Sequence, residues 1–244
     1  MKSAAAAREK SNFMCKALIA TLILTAGLTA TGGAQGRDEN TRFLNQIYLD
    51  LLGRPVDPRS EATLQSLLTA GASRGQVADT VLTTQEYRAR VIQTLYGSLL
   101  NREPEREELI PLLNLLNFGG TDEDATSRIV GSADYLTRSG GTADGFIGQL
   151  YIDLLGRNPR PEEMGIYVRF LQSGGTREQA GGMIVGGREY QTRLIASWCE
   201  RFQRRGCNPE QASRFLTLLR QGGTDEQVIS ILMDSNDYAK KAGR

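Results

Sequence analysis

Residues 47–54 read Ile-Tyr-Leu-Asp-Leu-Leu-Gly-Arg, and the stretch returns as LYGSLLNR at 95–102 and LYIDLLGR at 150–157. Its apolar residues fall three and four apart, the spacing of one helix face. In the first and third occurrences Gly53 and Gly156 follow, with Pro55 and Pro159 just beyond, which is a helix stop. The tyrosines of this stretch are Tyr48, Tyr96 and Tyr151, and the fourth equivalent position holds Cys199. A second landmark is a hydroxyl residue followed fourteen positions later by tyrosine: Ser73/Tyr87, Thr121/Tyr135, Thr176/Tyr190 and Thr224/Tyr238. Both landmarks recur at intervals of 48, 55 and 48 residues. Two landmarks in one register define an internal fourfold repeat of about 48 residues.

Each repeat reads as three helices, and the fold class expected is all-α. The first helix carries Phe43, Ile47 and Leu51 in copy one and Phe146, Leu150 and Leu154 in copy three. The second presents Leu64/Leu67/Leu68, then Leu112/Leu115/Leu116, Tyr167/Phe170/Leu171 and Phe215/Leu218/Leu219. It ends in every copy at a glycine (Gly71, Gly119, Gly174, Gly222) suited to a left-handed C-terminal cap. The third opens on a capping box: Ser73 with Gln76, Thr121 with Asp124, Thr176 with Gln179, Thr224 with Gln227. Further N-caps stand at Thr84, Ser132 and Ser235, each two residues before an acid, with the weaker Gly187 in copy three. From Thr84 the pattern runs on through Tyr87, Val91, Leu95 and Leu99, so the last helix of one repeat is expected to continue into the first of the next.

Seven extra residues separate copies two and three near 139–145 (SGGTADG), which reads as a flexible joint. The expected organisation is a signal peptide at 1–34, a short linker at 35–41, repeats one and two at 42–138, the joint, and repeats three and four at 146–244, stacked as two pairs. The leader reading rests on Lys2, Arg8, Lys10 and Lys16, the apolar run 17–31, and small residues at Gly32 and Ala34. An apolar run of that length is too short for a spanning helix, so no transmembrane segment is expected after cleavage. Cys15 precedes the apolar run, which argues against a lipid-modified cysteine.

Composition narrows the chemistry. The 244 residues carry 29 Lys+Arg, 28 Asp+Glu and no histidine. Without histidine there is no Ser-His-Asp triad, no Cys-His dyad and no His-containing zinc site. Without the leader the balance is slightly acidic and rests on arginine, the only lysines being Lys240 and Lys241. That surface lacks the basic footprint of a nucleic-acid binder.

Few residues stand out as chemical candidates. Arg54, Arg102, Arg157 and Arg205 recur in all four copies; they suit a carboxylate or sulfate ligand, but their place at a helix end favours a structural role. Asp50 and Asp153 precede two of them at i,i+4, while Ser98 and Arg201 fill that position in the others. The landmark tyrosines suit a sugar-stacking surface, yet within apolar stripes they read better as packed residues with bonded hydroxyls. Asp122-Glu123-Asp124 lacks calcium-loop spacing and reads as a helix start. Neighbouring acids such as Glu107/Glu108 and Glu162/Glu163 sit beside each other on a helix and do not face one another. Cys199 and Cys207, eight residues apart, read as a disulfide in an exported chain. No catalytic residue, cofactor site or metal site is expected.

The segments 48–58, 150–159 and 170–179, with the Glu86-Tyr87 and Glu189-Tyr190 ends, resemble a bacterial repeat family of unknown function found in secreted and surface-associated proteins. Its motif is similar to the helical core of phycobilisome linkers. The resemblance implies an all-helical fold and a scaffold or adhesion role, and brings no catalytic or binding residue with it. The function expected is that of an exported, non-enzymatic interaction or structural module whose partner is an unknown protein or a surface glycan. A carbohydrate-binding or polysaccharide-processing accessory protein is the alternative.

Overall fold

The computed structural model describes residues 33–243, in fourteen α-helices and one π-helical turn, with no strand among the described residues. The all-α expectation holds. The expected signal peptide lies outside the described residues except for Gly33 and Ala34, which begin the first helix. A compact unit spans Arg37–Arg244.

Copy one supplies α1 (Gly33–Leu52), α2 (Pro58–Thr69) and α3 (Arg74–Leu82). α4 (Gln85–Leu100) runs from copy one into copy two, followed by α5 (Arg106–Asn117), α6 (Asp122–Gly131) and the short α7 (Ala133–Arg138). Copy three begins with α8 (Ala143–Leu150), prolonged by the π turn Tyr151–Leu155, and continues with α9 (Pro161–Gln172) and α10 (Arg177–Val185). α11 (Arg188–Gln203) leads into copy four, with α12 (Pro209–Arg220), α13 (Asp225–Asp234) and α14 (Asn236–Ala242). All four expected capping boxes form at the starts of α3, α6, α10 and α13. Thr84, Ser132 and Ser235 cap the helices they precede, and Gly187 makes no side-chain cap. The stops after the second helices are left-handed, with φ of 94°, 89°, 98° and 89° at Gly71, Gly119, Gly174 and Gly222.

Two expectations about the connections are corrected. Residues 35–41, expected as a linker, belong to α1, where Arg74 reaches Glu39 at 2.6 Å and Thr41 donates to Glu61 at 2.8 Å. Those two contacts give the first helical turns tertiary partners that an apolar-periodicity reading misses. The stretch 139–145, expected as a flexible joint, is a bonded turn. Gly140 N–H donates to Thr137 O at 3.1 Å, Gly141 N–H to Leu136 O at 2.9 Å, and Thr142 caps α8. Its seven extra residues break what is one helix in α4 and α11, so that α7 folds back against α8 through an edge-on Tyr135–Phe146 contact at 5.9 Å.

The buried clusters also cross the expected division into a first and a second pair of repeats. One cluster joins copy one to copy four: Phe43, Ile47, Val77 and Val81 pack with Phe202, Phe215, Val228 and Leu232. The other joins copy two to copy three: Ile92, Leu112, Ile129 and Tyr135 with Phe146, Leu150, Ala180 and Ile184. The long helices α4 and α11 each feed both clusters, Tyr87 going to the first and Ile92 to the second, while Tyr190 packs on the second and Ile195 lies in the first.

The third helices make the joints. α3 packs on α13, and α6 on α10. Close approach is bought by glycine on opposite members of the two pairs. A Cβ on Gly75 of α3 would sit 3.1 Å from Asp234 Cβ, and one on Gly131 of α6 would sit 2.9 Å from Glu178 Cβ. The nearness allows hydrogen bonds between helices: Gly75 N–H donates to Asp234 Oδ1 at 2.9 Å, and Ser230 Oγ to Gly75 O at 3.1 Å. In the second pair Arg177 Nε donates to Gly131 O at 3.2 Å.

Candidate functional site

The four recurring arginines do not bond the last carbonyls of their helices, nor the aspartates four residues before them. Each arginine side chain follows the left-handed residue that ends its first helix. It meets an acid 32 residues further on, in the first turn of a later helix. Arg54 Nε lies 2.5 Å from Glu86 Oε1, Arg102 Nη2 2.6 Å from Asp134 Oδ2, and Arg157 Nε 2.6 Å from Glu189 Oε1. Arg205 pairs in the same way with Asp237. Three of the four also hold an acid at the start of the second helix: Asp57 at 3.4 Å, Glu108 at 2.6 Å and Glu163 at 2.8 Å. The guanidinium of each of those three stands about 5 Å over its landmark tyrosine, at 5.1, 5.2 and 5.1 Å for Tyr48, Tyr96 and Tyr151.

The electrostatics follow from these contacts. Hydrogen bonding by Arg157 holds the Glu163 carboxyl down to about 2, and the same kind of bond lowers Glu86, Glu108 and Glu189. The backbone N–H of Ser60 is the main cause that brings Asp57 to about 2. The constant spacing of 32 between arginine and acid is visible in the sequence, where those acids read only as helix-dipole complements.

Copy four shows what happens when a part is missing. Cys199 stands where the other copies have tyrosine, and it is bonded to Cys207, with Cα atoms 5.3 Å apart. The disulfide ties helix one to the following turn, the same two parts that arginine and tyrosine hold together elsewhere. It also brackets Arg204, which at φ 55° takes the left-handed conformation that Gly53 and Gly156 take in copies one and three, at 72° and 69°.

Asp50 and Asp153, unpaired with Arg54 and Arg157, accept from the last short helices. Tyr135 Oη donates to Asp153 Oδ2 at 2.9 Å, and Arg138 Nη1 to the same oxygen at 2.8 Å. Tyr238 Oη donates to Asp50 Oδ2 at 2.8 Å, with Lys241 Nζ at 2.7 Å. These two sets occupy equivalent places 103 residues apart.

A third constellation is legible in the sequence only in part, Asp122-Glu123 reading there as a helix start. Asp122-Glu123 at the start of α6 and Asp225-Glu226 at the start of α13 influence one another's ionisation. Burial, then Glu226 and Glu123, push Asp122 up to about 7. Asp225, only 8 % exposed, is pushed well above the usual carboxylate range by burial and then by Glu123, Asp122 and Glu226. Tyr87 and Tyr190 are raised as well, first by burial and then by these same acids. Repeat alignment places the two acid pairs at equivalent positions, and the fold brings their charges close enough to act on one another. Among the described residues no group of three or more His, Cys, Asp or Glu is arranged to hold a metal ion.

A cavity of about 550 Å³ opens between the 139–145 turn and the start of α10. Leu136, Phe146 and Leu171 give it an apolar wall, and Thr176, Arg177 and Glu178 a polar one. All of its lining lies within residues 126–194, the segment that matches the family model described as Domain of unknown function (DUF4214). No curated protein and no solved structure matches the chain. No helix among the described residues is long and apolar enough to cross a membrane.

Proposed function

We propose that the protein is an exported, non-enzymatic helical-repeat module that binds a protein partner, or serves a structural role, at the cell envelope or outside the cell. The observation that carries this reading is the fate of the recurring polar residues. Arg54, Arg102, Arg157 and Arg205, with Asp50 and Asp153, are all spent on contacts between helices of the same chain. Groups so committed hold a scaffold and have little left to offer a reacting substrate. The Cys199–Cys207 disulfide suits an oxidising compartment, and the basic-then-apolar leader composition supports export. The likeness of the YLDLLGR motif to secreted and surface-associated proteins points the same way. The mixed lining of the cavity beside Arg177, with Leu136 and Phe146 next to Arg177 and Glu178, makes it the surface on which this reading is tested.

Crosslinking in intact cells followed by pull-down tests this reading. The expected result is a protein partner that is retained by the native chain and reduced at least several-fold by Arg177→Ala. Retained polysaccharide with no protein would instead support a carbohydrate-binding accessory role and overturn the proposal.

A further inference from the structure

The two halves of the chain correspond residue by residue at an offset of 103, and at one place the correspondence breaks in several ways together. Between α4, α11 and the π turn lies a pocket of about 180 Å³, lined among others by Leu95, Ser98, Thr126, Asp153, Tyr190 and Arg193. The equivalent positions in the other half hold Trp198, Arg201, Ile229, Asp50, Tyr87 and Arg90. There three of the side chains are bulkier. Trp198 and Ile229 are buried in the core, and the Arg201 guanidinium donates to Asp50 O and lies 5.3 Å over the Phe202 ring. Leucine, serine and threonine stand in their place at the pocket.

The backbone differs at the same place. Residues 48–52 are regular α-helix, whereas their counterparts Tyr151–Leu155 form a π turn. No insertion forces this, because the 103-residue offset holds from Tyr151 through Arg157. Such π turns are rare and are frequently found at functional sites.

We propose that this pocket binds a small hydroxycarboxylate. Arg193 is positioned to take the carboxylate. Its Nη1 donates to Leu155 O at 3.3 Å, and the guanidinium lies against Gly156, where φ is 69° and a Cβ would collide with it. The other N–H donors of Arg193 have no hydrogen-bond partner among the described residues and suit a carboxylate. Asp153 does not call for a cation, since Tyr135, Arg138 and Gln149 already donate to it. Ser98 and Ser197 give their hydroxyl protons to carbonyls of their own helices and so present lone pairs to a ligand hydroxyl. Leu95, Leu154 and Leu194 supply an apolar wall for a short hydrocarbon body. The volume holds about six waters' worth of matter, which fits a ligand of a few carbons.

Titration of the purified protein with β-hydroxybutyrate, followed by amide chemical shifts, tests the proposal, with sodium chloride at matched ionic strength as the blank. The expected result is saturable shifts in the millimolar range at Ser98, Thr126, Asp153 and Tyr190, much weaker with butanediol, which lacks the carboxylate. Leu95→Trp with Ser98→Arg installs the bulkier residues of the other half and is expected to abolish the shifts. Arg193→Gln, which leaves the pocket open, is expected to weaken binding at least tenfold while the rest of the spectrum is unchanged. Absence of saturable shifts in the native protein, equal binding of butanediol, or unchanged binding in Arg193→Gln would overturn it.

Discussion

Tyr238 donates a hydrogen bond to Asp50 at 2.8 Å across 188 positions of the chain, and Tyr135 makes the equivalent bond to Asp153 across only 18. The near pair is joined by the 139–145 turn. The distant pair has no such link, and contact alone brings α14 onto α1. Non-covalent packing between copies four and one thus does what chain connectivity does between copies two and three.

Removing the distant bond should therefore cost stability. Tyr238 is fully buried, and its partner is a carboxylate that keeps only Lys241 once the phenol is gone. Tyr238→Phe is expected to lower the unfolding free energy by about 1.5–3 kcal/mol, the usual worth of a hydrogen bond to a charged group. Urea denaturation measures it. A loss no larger than that of an exposed Tyr→Phe control would contradict the closure.

Arg157 and Glu163 give an acid-side prediction. The Glu163 carboxyl sits at about 2 in the folded protein, below its ordinary 4.5, mainly through hydrogen bonds from Arg157. A lowered acid contributes stability above its unfolded pKa and loses it as pH falls towards the folded value. Arg157→Gln is expected to lower the melting temperature at neutral pH, with the difference from the native protein shrinking between pH 4.5 and about 2. Thermal melts across that range check it.

Asp225 and Asp122 predict the opposite slope. Both are raised, so the stability their protonation gives is present below 3.8 and is lost as pH rises through the folded values, about 7 for Asp122. The groups involved are Glu123, Glu226, Tyr87 and Tyr190, with Arg201 the cation acting on Tyr87. Asp225→Asn is expected to stabilise the protein by on the order of 1 kcal/mol above neutrality and by little near pH 4. Chemical denaturation at the two pH values distinguishes this from a uniform effect.

Copy four carries a strained turn. Arg204 occupies the left-handed region at φ 55°, which costs a non-glycine residue about 1–2 kcal/mol. Arg204→Gly is expected to raise stability by about 1 kcal/mol. Replacing both Cys199 and Cys207 by serine is expected to cost about 2–3 kcal/mol for so short a loop. Denaturant midpoints of the two variants should move in opposite directions.

Much of this architecture is legible in the sequence because it is written in local terms. Ser73 and Gln76 lie three apart, Gly71 ends a periodic apolar run, and Cys199 and Cys207 lie eight apart; each relation is settled within a few residues. The crossing of copies is different in kind. Gly75 against Asp234 and Gly131 against Glu178 are small-and-acid contacts more than forty positions apart, and no apolar stripe announces them. Repeat alignment shows that copies are alike but not which copy packs on which. The small pocket is legible only after that pairing is known, when Leu95, Ser98 and Thr126 can be set beside Trp198, Arg201 and Ile229. The arginine–acid spacing of 32 is the exception: it recurs in all four copies and needs no structure to be found.

The crossed pairing is the central claim, and cutting the chain within 139–142 tests it most directly. Each buried cluster takes side chains from both sides of that cut. Residues 37–138 and 143–244 produced separately should show little cooperative unfolding by circular dichroism, and on mixing should form a one-to-one complex with a single cooperative transition. Either half folding alone as a stable monomer, with no association on mixing, would contradict it.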